Sequence, residues 1–385
     1  MESLRTRRIY PLCLLLMLAN IPIWGCKKQS ASNAKAQKPT SKNAKPLSSK
    51  HLKSKKKDIF TIGILYWSMS IPGQVAMRKG LEQHAAKLNK KGMGFPKNKL
   101  IAYVAGDGPK GMERQIRQMN KLIQKKVDLI IVQPTDIAAL STSLKAANKA
   151  GIPVVAYDQY IIGGKLASYV TSNNYQAGYL DGEYIASKFD NKKAIKIILV
   201  EYPHVSSTVR RVDGFMDALR QAGQKYKIIK SYNAVEPKSG KIAGQKILKD
   251  FPKKGSIDVV FTVNDGGGLP VVRALTKAGR TEIKVATIDG DPESVKIIRK
   301  KGITVIDSAQ FCGPLGAEAL KTAYQILLGK KVPKHKLVPV FPITIETAGL
   351  YKSWMGPYPK KFRKSWKSKN PFWEAKIQVV KTAQK

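Results

Sequence analysis

Three short apolar runs late in the chain each end in a polar side chain that can hold a hydroxyl group. Residues 259–263 lead into Asn264 and Asp265. Residues 283–288 lead into Asp289 and Gly290, and 303–309 lead into Gln310. A carboxylate accepts hydrogen bonds from two hydroxyls, and an amide both donates and accepts. Delivered together, such groups suit a ligand rich in hydroxyls. In an open parallel α/β sheet, ligands bind in the crevice outside the carboxyl ends of the strands. Asn264, Asp289 and Gln310 are therefore the first binding candidates. Each alone also suits a bland role, since Asp-Gly is turn chemistry and Asn or Asp starts helices. Their recurrence on successive strand ends favours a site.

The elements that must carry these groups alternate regularly. Strand-type runs at 59–67, 100–105, 127–132 and 152–157 are separated by helical spacing at 74–89, 111–125 and 137–150. Asp136 suits the N-cap of the last of these helices. Further on, helix-like 175–189, 206–222, 239–251 and 269–278 alternate with strand-like 194–201, 226–231 and the three runs above. Strict alternation implies an α/β fold with parallel sheets covered on both faces.

Composition narrows the function. At 385 residues the chain suggests two domains or one two-lobed unit. A hydrophobic content of 43% supplies a large core. The formal net charge of +43 would suit nucleic acid, an anionic membrane or a cationic proteome. The lysines crowd before Asp58 and after Lys352, and aromatics do not interleave with the early ones as single-strand binding requires. Nucleic acid is therefore not the expected partner. Cys13 and Cys26 lie at the amino terminus, which leaves Cys312 as a free thiol in the folded region. The four histidines are scattered, and no metal-ligand spacing appears. There is no phosphate loop and no Gly-x-Ser-x-Gly elbow. The expectation is binding rather than catalysis, with no cofactor and no metal.

The amino terminus reads as an export signal. Arg5, Arg7 and Arg8 precede an apolar stretch, 12–19, too short to span a bilayer. Ile23-Trp24-Gly25-Cys26 then resembles the lipobox of bacterial lipoproteins, with Trp24 a departure from its usual smaller residue. The resemblance implies a signal peptide at 1–25, lipid on Cys26, and a periplasmic protein held to a membrane of the bacterial envelope. Residues 26–57, rich in Lys and Ser, read as a tether that cannot bury a core. At the other end, 353–385 mixes Trp354, Trp366, Phe372 and Trp373 with lysines. This extension is expected to pack on the second lobe, with a membrane or partner patch as the alternative.

Taken in order, IGILYW, PGQVAMRKGLEQHAAK, VDLIIVQPTD, AGIPVVAYDQ, SNNYQAGYLDGEYIASK, RRVDGFMDAL, VFTVNDGGGLPVVRAL and ATIDGDPE resemble the periplasmic sugar-binding proteins of the ribose-binding type, over about 59–350. The resemblance implies two Rossmann-like lobes, each a parallel sheet flanked by helices, joined by a three-crossover hinge. The lobes would be 58–172 with 311–338, and 173–310 with 339–352. It implies a monomer that captures a sugar-like molecule and delivers it to an ABC transporter permease. The alternative is a sensor module reporting to a membrane histidine kinase or chemoreceptor. A regulator of the same fold would need an amino-terminal helix-turn-helix, where this chain has an export signal.

Carried over by position, the family's hydrogen-bonding groups fall on Asp158, Arg211, Asn264, Asp289 and Gln310. Gln133 stands where the family has an asparagine, and Gln159 replaces an arginine. Gly73 and Gln74 stand where ribose binders have two phenylalanines. That leaves Trp67 or Tyr66 to supply an aromatic face, and it leaves the ligand open.

Overall fold

The shortest strands explain the architecture. LIIV at 129–132, VVAY at 154–157 and VVFT at 259–262 are buried at every position. Strands without a polar face belong in sheets covered on both sides. The computed structural model describes residues 57–90 and 96–380. The expected export signal, Cys26 and all of the expected tether but Lys57 lie outside the described residues.

In chain order the first lobe holds β1 (Ile59–Tyr66), α1 (Pro72–Leu88), β2 (Lys97–Val104), α2 (Gly108–Gln124), β3 (Leu129–Val132), α3 (Ser141–Lys149), β4 (Val154–Tyr157) and β5 (Ser168–Ser172). The second holds α4 (Asn174–Ala186), β6 (Ile195–Glu201), α5 (Ser206–Gln221), β7 (Tyr226–Asn233), α6 (Pro237–Asp250), β8 (Val259–Thr262), α7 (Asp265–Lys277), β9 (Lys284–Asp289), α8 (Pro292–Arg299) and β10 (Thr304–Gln310). There follow α9 (Cys312–Leu327), β11 (His335–Val338), β12 (Val340–Thr344), β13 (Phe362–Arg363), β14 (Phe372–Trp373) and β15 (Gln378–Val380).

One sheet has the order β15-β11-β5-β4-β3-β1-β2 and the other β12-β10-β9-β8-β6-β7. Both are parallel except at one edge each, where β15 runs against β11 and β12 against β10. The chain passes between the sheets after β5, after β10 and after β11, and these passages form the hinge. The strand ends converge where the two sheets face each other.

Close helix pairing brings the site's arginine into place. A Cβ on Gly178 of α4 would lie 1.8 Å from the carbonyl oxygen of Arg211 on α5. Only a glycine lets the two helices approach that closely.

Two stretches differ from the sequence reading. Helix α3 starts at Ser141 rather than at 137. The Asp136 carboxylate accepts from the amides of Ala138 and Ala139 at 2.7 and 2.8 Å, so it caps a turn ahead of the helix. The carboxyl-terminal extension does not pack on the second lobe alone. Trp366 and Trp373 are buried against Tyr184 and Phe341 of that lobe, but β15 joins the first lobe's sheet. The extension therefore makes a fourth link between the lobes. Cys312 is buried, without a disulfide partner. Among the described residues no helix is long and apolar enough to cross a membrane.

Candidate functional site in the interlobe crevice

Two strand ends carry aspartates in strained backbone. Asp158 follows β4 with φ +64°, and Asp289 closes β9 with φ +139°. A side chain held at positive φ costs about 1–3 kcal/mol and persists where its surroundings over-determine it. Around Asp289 those surroundings are specific. Arg211 Nη1 donates to Asp289 Oδ1 at 3.1 Å and to the Val263 carbonyl at 2.7 Å. Arg211 Nε donates to Asn174 Oδ1 at 2.9 Å, which fixes the plane of the guanidinium. Gln310 Nε2 donates to the same Asp289 oxygen at 2.6 Å.

In the first lobe, Asp158 Oδ2 accepts from Gln133 Nε2 at 2.9 Å. Gln159 reaches across the cleft. Its Nε2 donates to Ser207 Oγ at 2.7 Å, and its Oε1 accepts from the Ser207 amide at 3.1 Å. Trp67 packs with Val205 and Val235 of the opposite lobe. Asn264 both caps α7, through the Gly267 amide at 3.1 Å, and holds the Val235 carbonyl at 3.0 Å.

All the sequence candidates line this one crevice except Gln133, Tyr66, which is buried with its hydroxyl donating to Glu82 Oε1 at 3.2 Å, and Cys26, which lies outside the described residues. Gln133 does not line it. It ends a strand, as the others do, but it lies behind Asp158, where its Oε1 accepts from the Trp67 amide at 3.3 Å. Residues that the sequence reading did not single out also face the crevice. Ser207 and Thr208 sit one helical turn before Arg211, and that spacing was the available signal. Gln74, at a phenylalanine position of ribose binders, lines it too and accepts from the Ser68 amide at 2.8 Å. Asn174, which orients Arg211, had no sequence signal.

The crevice is drawn tightly together, with a cavity volume of about 30 Å³. Two buried acceptors in it, Asp158 Oδ1 and Gln310 Oε1, have no hydrogen-bond partner among the described residues. A buried acceptor left unpaired costs about 1–3 kcal/mol, so both are poised for a donor from outside the chain. Among the described residues no group of His, Cys, Asp and Glu could hold a metal ion.

Burial dominates the electrostatics. It raises the Asp158 carboxyl, against the opposing effects of Gln133 and Arg211. It pushes Asp289 up to about 6, with Arg211 and Gln310 pulling the other way. Behind Asp289, burial carries Asp307 up to about 7, with hydrogen bonds to Asp265 and Ser294 pulling the other way, and it carries Asp265 well above its ordinary range, helped by the Asp307 charge. Asp307 Oδ1 accepts from the Gly290 amide at 2.8 Å, within the turn that presents Asp289.

A carboxyl raised in the folded state stabilises fully below its unfolded value near 3.9 and loses that contribution as pH rises through its folded value. For Asp307 the window is therefore about pH 4 to 7. Asp307→Asn keeps an acceptor for Gly290 but cannot ionise. Its melting temperature is expected to gain on the wild type by roughly 2–4 °C between pH 5 and pH 8. Calorimetry at three pH values measures this, and a constant gap would reject Asp307 as the titrating group.

A family model for the periplasmic binding protein domain matches residues 62–331. The chain belongs to this family. The ribose import binding protein of Bacillus subtilis is 32% identical over 285 residues, covering 73% of this chain and 86% of the relative. That of Escherichia coli is 27% identical over 274 residues, covering 71% and 86%. Among solved structures, an ABC transporter periplasmic solute binding protein from Actinobacillus succinogenes with bound D-allose superposes with a TM-score of 0.65 at 25% identity. It covers 76% of this chain and 100% of its own. The family named by the sequence motifs is thus the one the chain belongs to. Its matching members are binding proteins, not enzymes.

Proposed function

We propose that this chain is a lipid-anchored solute-binding protein that captures a sugar or sugar-like molecule between its lobes and delivers it to the permease of an ABC transporter. One observation carries the reading. The unpartnered acceptors Asp158 Oδ1 and Gln310 Oε1 belong to opposite lobes and meet in the crevice that holds the Arg211–Asp289 pair. Sugar hydroxyls would donate to both acceptors and accept from the arginine, and Trp67 offers an apolar face to the ring's C–H groups. A ring needs more room than the closed crevice has, so capture requires the lobes to part at the hinge and close again. Closure is driven by higher affinity for the closed form. The relatives add support. Those of Bacillus subtilis and Escherichia coli are ribose import binding proteins, and the structural neighbour holds D-allose. Gly73 and Gln74 make this chain's crevice more polar than two phenylalanines would.

Titration calorimetry of the chain from Lys27 onward, against pentoses, hexoses, polyols and furanoses, tests the proposal. One class is expected to bind. Asp289→Ala should weaken it about a hundredfold, or ~2.8 kcal/mol, while Asp136→Ala on the surface turn leaves it unchanged. Membrane fractionation of Cys26→Ser, expected to release the protein, tests the anchor. Heat-free titrations with every sugar class would sink the reading.

A further inference from the structure

Next to the sugar crevice lies a larger cavity of about 850 Å³, on the flank of the hinge. Val205 borders both spaces. The chemistry of the second is different. The crevice is built around aspartates, whereas no Asp or Glu is among the described residues that line the second cavity. Its cations are Lys165 from the first lobe, Lys334 before β11 and Arg210 on α5. Arg210 is partly neutralised by Asp213, at 3.2 Å, and lies over the Tyr175 ring. The two lysines are exposed.

The walls between these cations are apolar and aromatic. Ile162 on one lobe is 45% exposed and Val209 on the other 41%, high values for aliphatic side chains in a folded chain. Tyr169 stacks on His335 at 4.8 Å, and Tyr160 meets Tyr169 edge-on at 5.3 Å. The extension adds a wall. Gln378 of β15 accepts from Asn173 Nδ2 at 3.3 Å. Two polar atoms of the lining are buried without a partner among the described residues, namely His335 Nε2 and Ser172 Oγ. Burial also pushes the His335 pKa down, so at neutral pH its ring is an uncharged hydrogen-bonding group.

We propose that this cavity is a second ligand site, which takes a small organic anion with an apolar, ring-containing body. The anionic head meets Lys165, Lys334 and Arg210. The body packs on Ile162, Val209 and the tyrosines. A neutral sugar carries no charge to match these cations. Because both lobes supply the walls, an occupant binds one interlobe geometry better than others and so shifts the hinge toward it.

Two fluorescent probes that share a body separate the parts of this proposal. 8-Anilinonaphthalene-1-sulfonate carries an anionic head, and N-phenyl-1-naphthylamine lacks it. With the full chain carrying Cys26→Ser, the sulfonate should saturate one site and bind about tenfold more tightly than the neutral probe. The double variant Lys165→Glu, Lys334→Glu should weaken the sulfonate about tenfold, or ~1.4 kcal/mol, and leave the neutral probe alone. Val209→Trp should crowd the wall on which the body packs and weaken both probes. Asp289→Ala, in the sugar crevice, should weaken neither, so the result stands or falls apart from sugar binding. The control Lys241→Glu, Lys246→Glu on the distant α6 makes the same change in net charge. Equal loss in that control would reduce the effect to overall charge and overturn the proposal. So would equal affinity for the two probes, or full binding by Val209→Trp.

Discussion

Arg211→Ala is expected to lower stability by about 3–5 kcal/mol and to abolish binding in the crevice. The guanidinium and the Asp289 carboxylate are both buried, at 3% and 7% side-chain exposure. Removing one partner of a buried pair leaves an uncompensated charge, which is where the large cost arises. Arg211 also supports the Val263 carbonyl and Asn174, so three acceptors lose a donor at once. The pH dependence of the loss has a definite sign. Arg211 is a cause that lowers the Asp289 pKa from where burial would carry it. Without it, that carboxyl titrates above its present value of about 6. It is then neutral at pH 5.5, and the penalty should be smaller there than at pH 8. Urea denaturation at both values measures this. The double variant Arg211→Met, Asp289→Leu should recover much of the stability, because apolar replacement of a buried pair is often neutral or better. It should recover none of the binding. An Arg211→Ala protein within 1 kcal/mol of wild type would show that water reaches the pair and that the crevice is open.

The parts legible in the sequence were those set by local pattern. Fully apolar runs such as LIIV and VVFT announce strands buried on both faces, and their alternation with helices announces parallel sheets. Polar residues just past such runs lie at strand ends, so Asn264, Asp289 and Gln310 could be picked without any relative. The pattern does not say which way such a residue turns. Gln133 closes β3 by the same rule yet lies behind Asp158. Arg211 and Asp289 are 78 positions apart, and their pairing depends on α4 and α5 meeting at Gly178. Only the family resemblance pointed to Arg211. The start of α3 was misplaced because a capped turn and a helical turn both open with Asp136. The extension was least legible. Its strands are two or three residues long, too short for any periodicity, and its place is set by individual aromatic contacts.

That extension yields the second large effect. Ending the chain after Lys352 is expected to leave a protein that does not hold its fold at 37 °C. Glu183, buried on α4, accepts from Lys364 Nζ at 2.8 Å and from Trp366 Nε1 at 3.0 Å, and also from Ser368. All three donors belong to the extension. Trp373 fills a pocket against Phe341 and donates to the Val340 carbonyl at 2.7 Å. Unpairing the buried Glu183 costs about 3–5 kcal/mol, and emptying one buried tryptophan site costs about as much again. Together these reach the whole margin of an ordinary domain, about 5–15 kcal/mol. Single variants divide the effect. Lys364→Ala should lose about 3–5 kcal/mol and leave ligand affinity intact, since it lies away from the crevice. Trp354→Phe should do the reverse. Trp354 Nε1 donates to the Asp289 carbonyl at 2.7 Å, and Tyr351 holds the next carbonyl, that of Gly290, at 3.3 Å. These bonds help keep Asp289 at its strained φ, so losing one should weaken binding more than folding. If both variants lowered stability alone, the extension would serve the fold and not the aim of the crevice. A selective loss of affinity in Trp354→Phe would make the extension part of how the crevice is aimed.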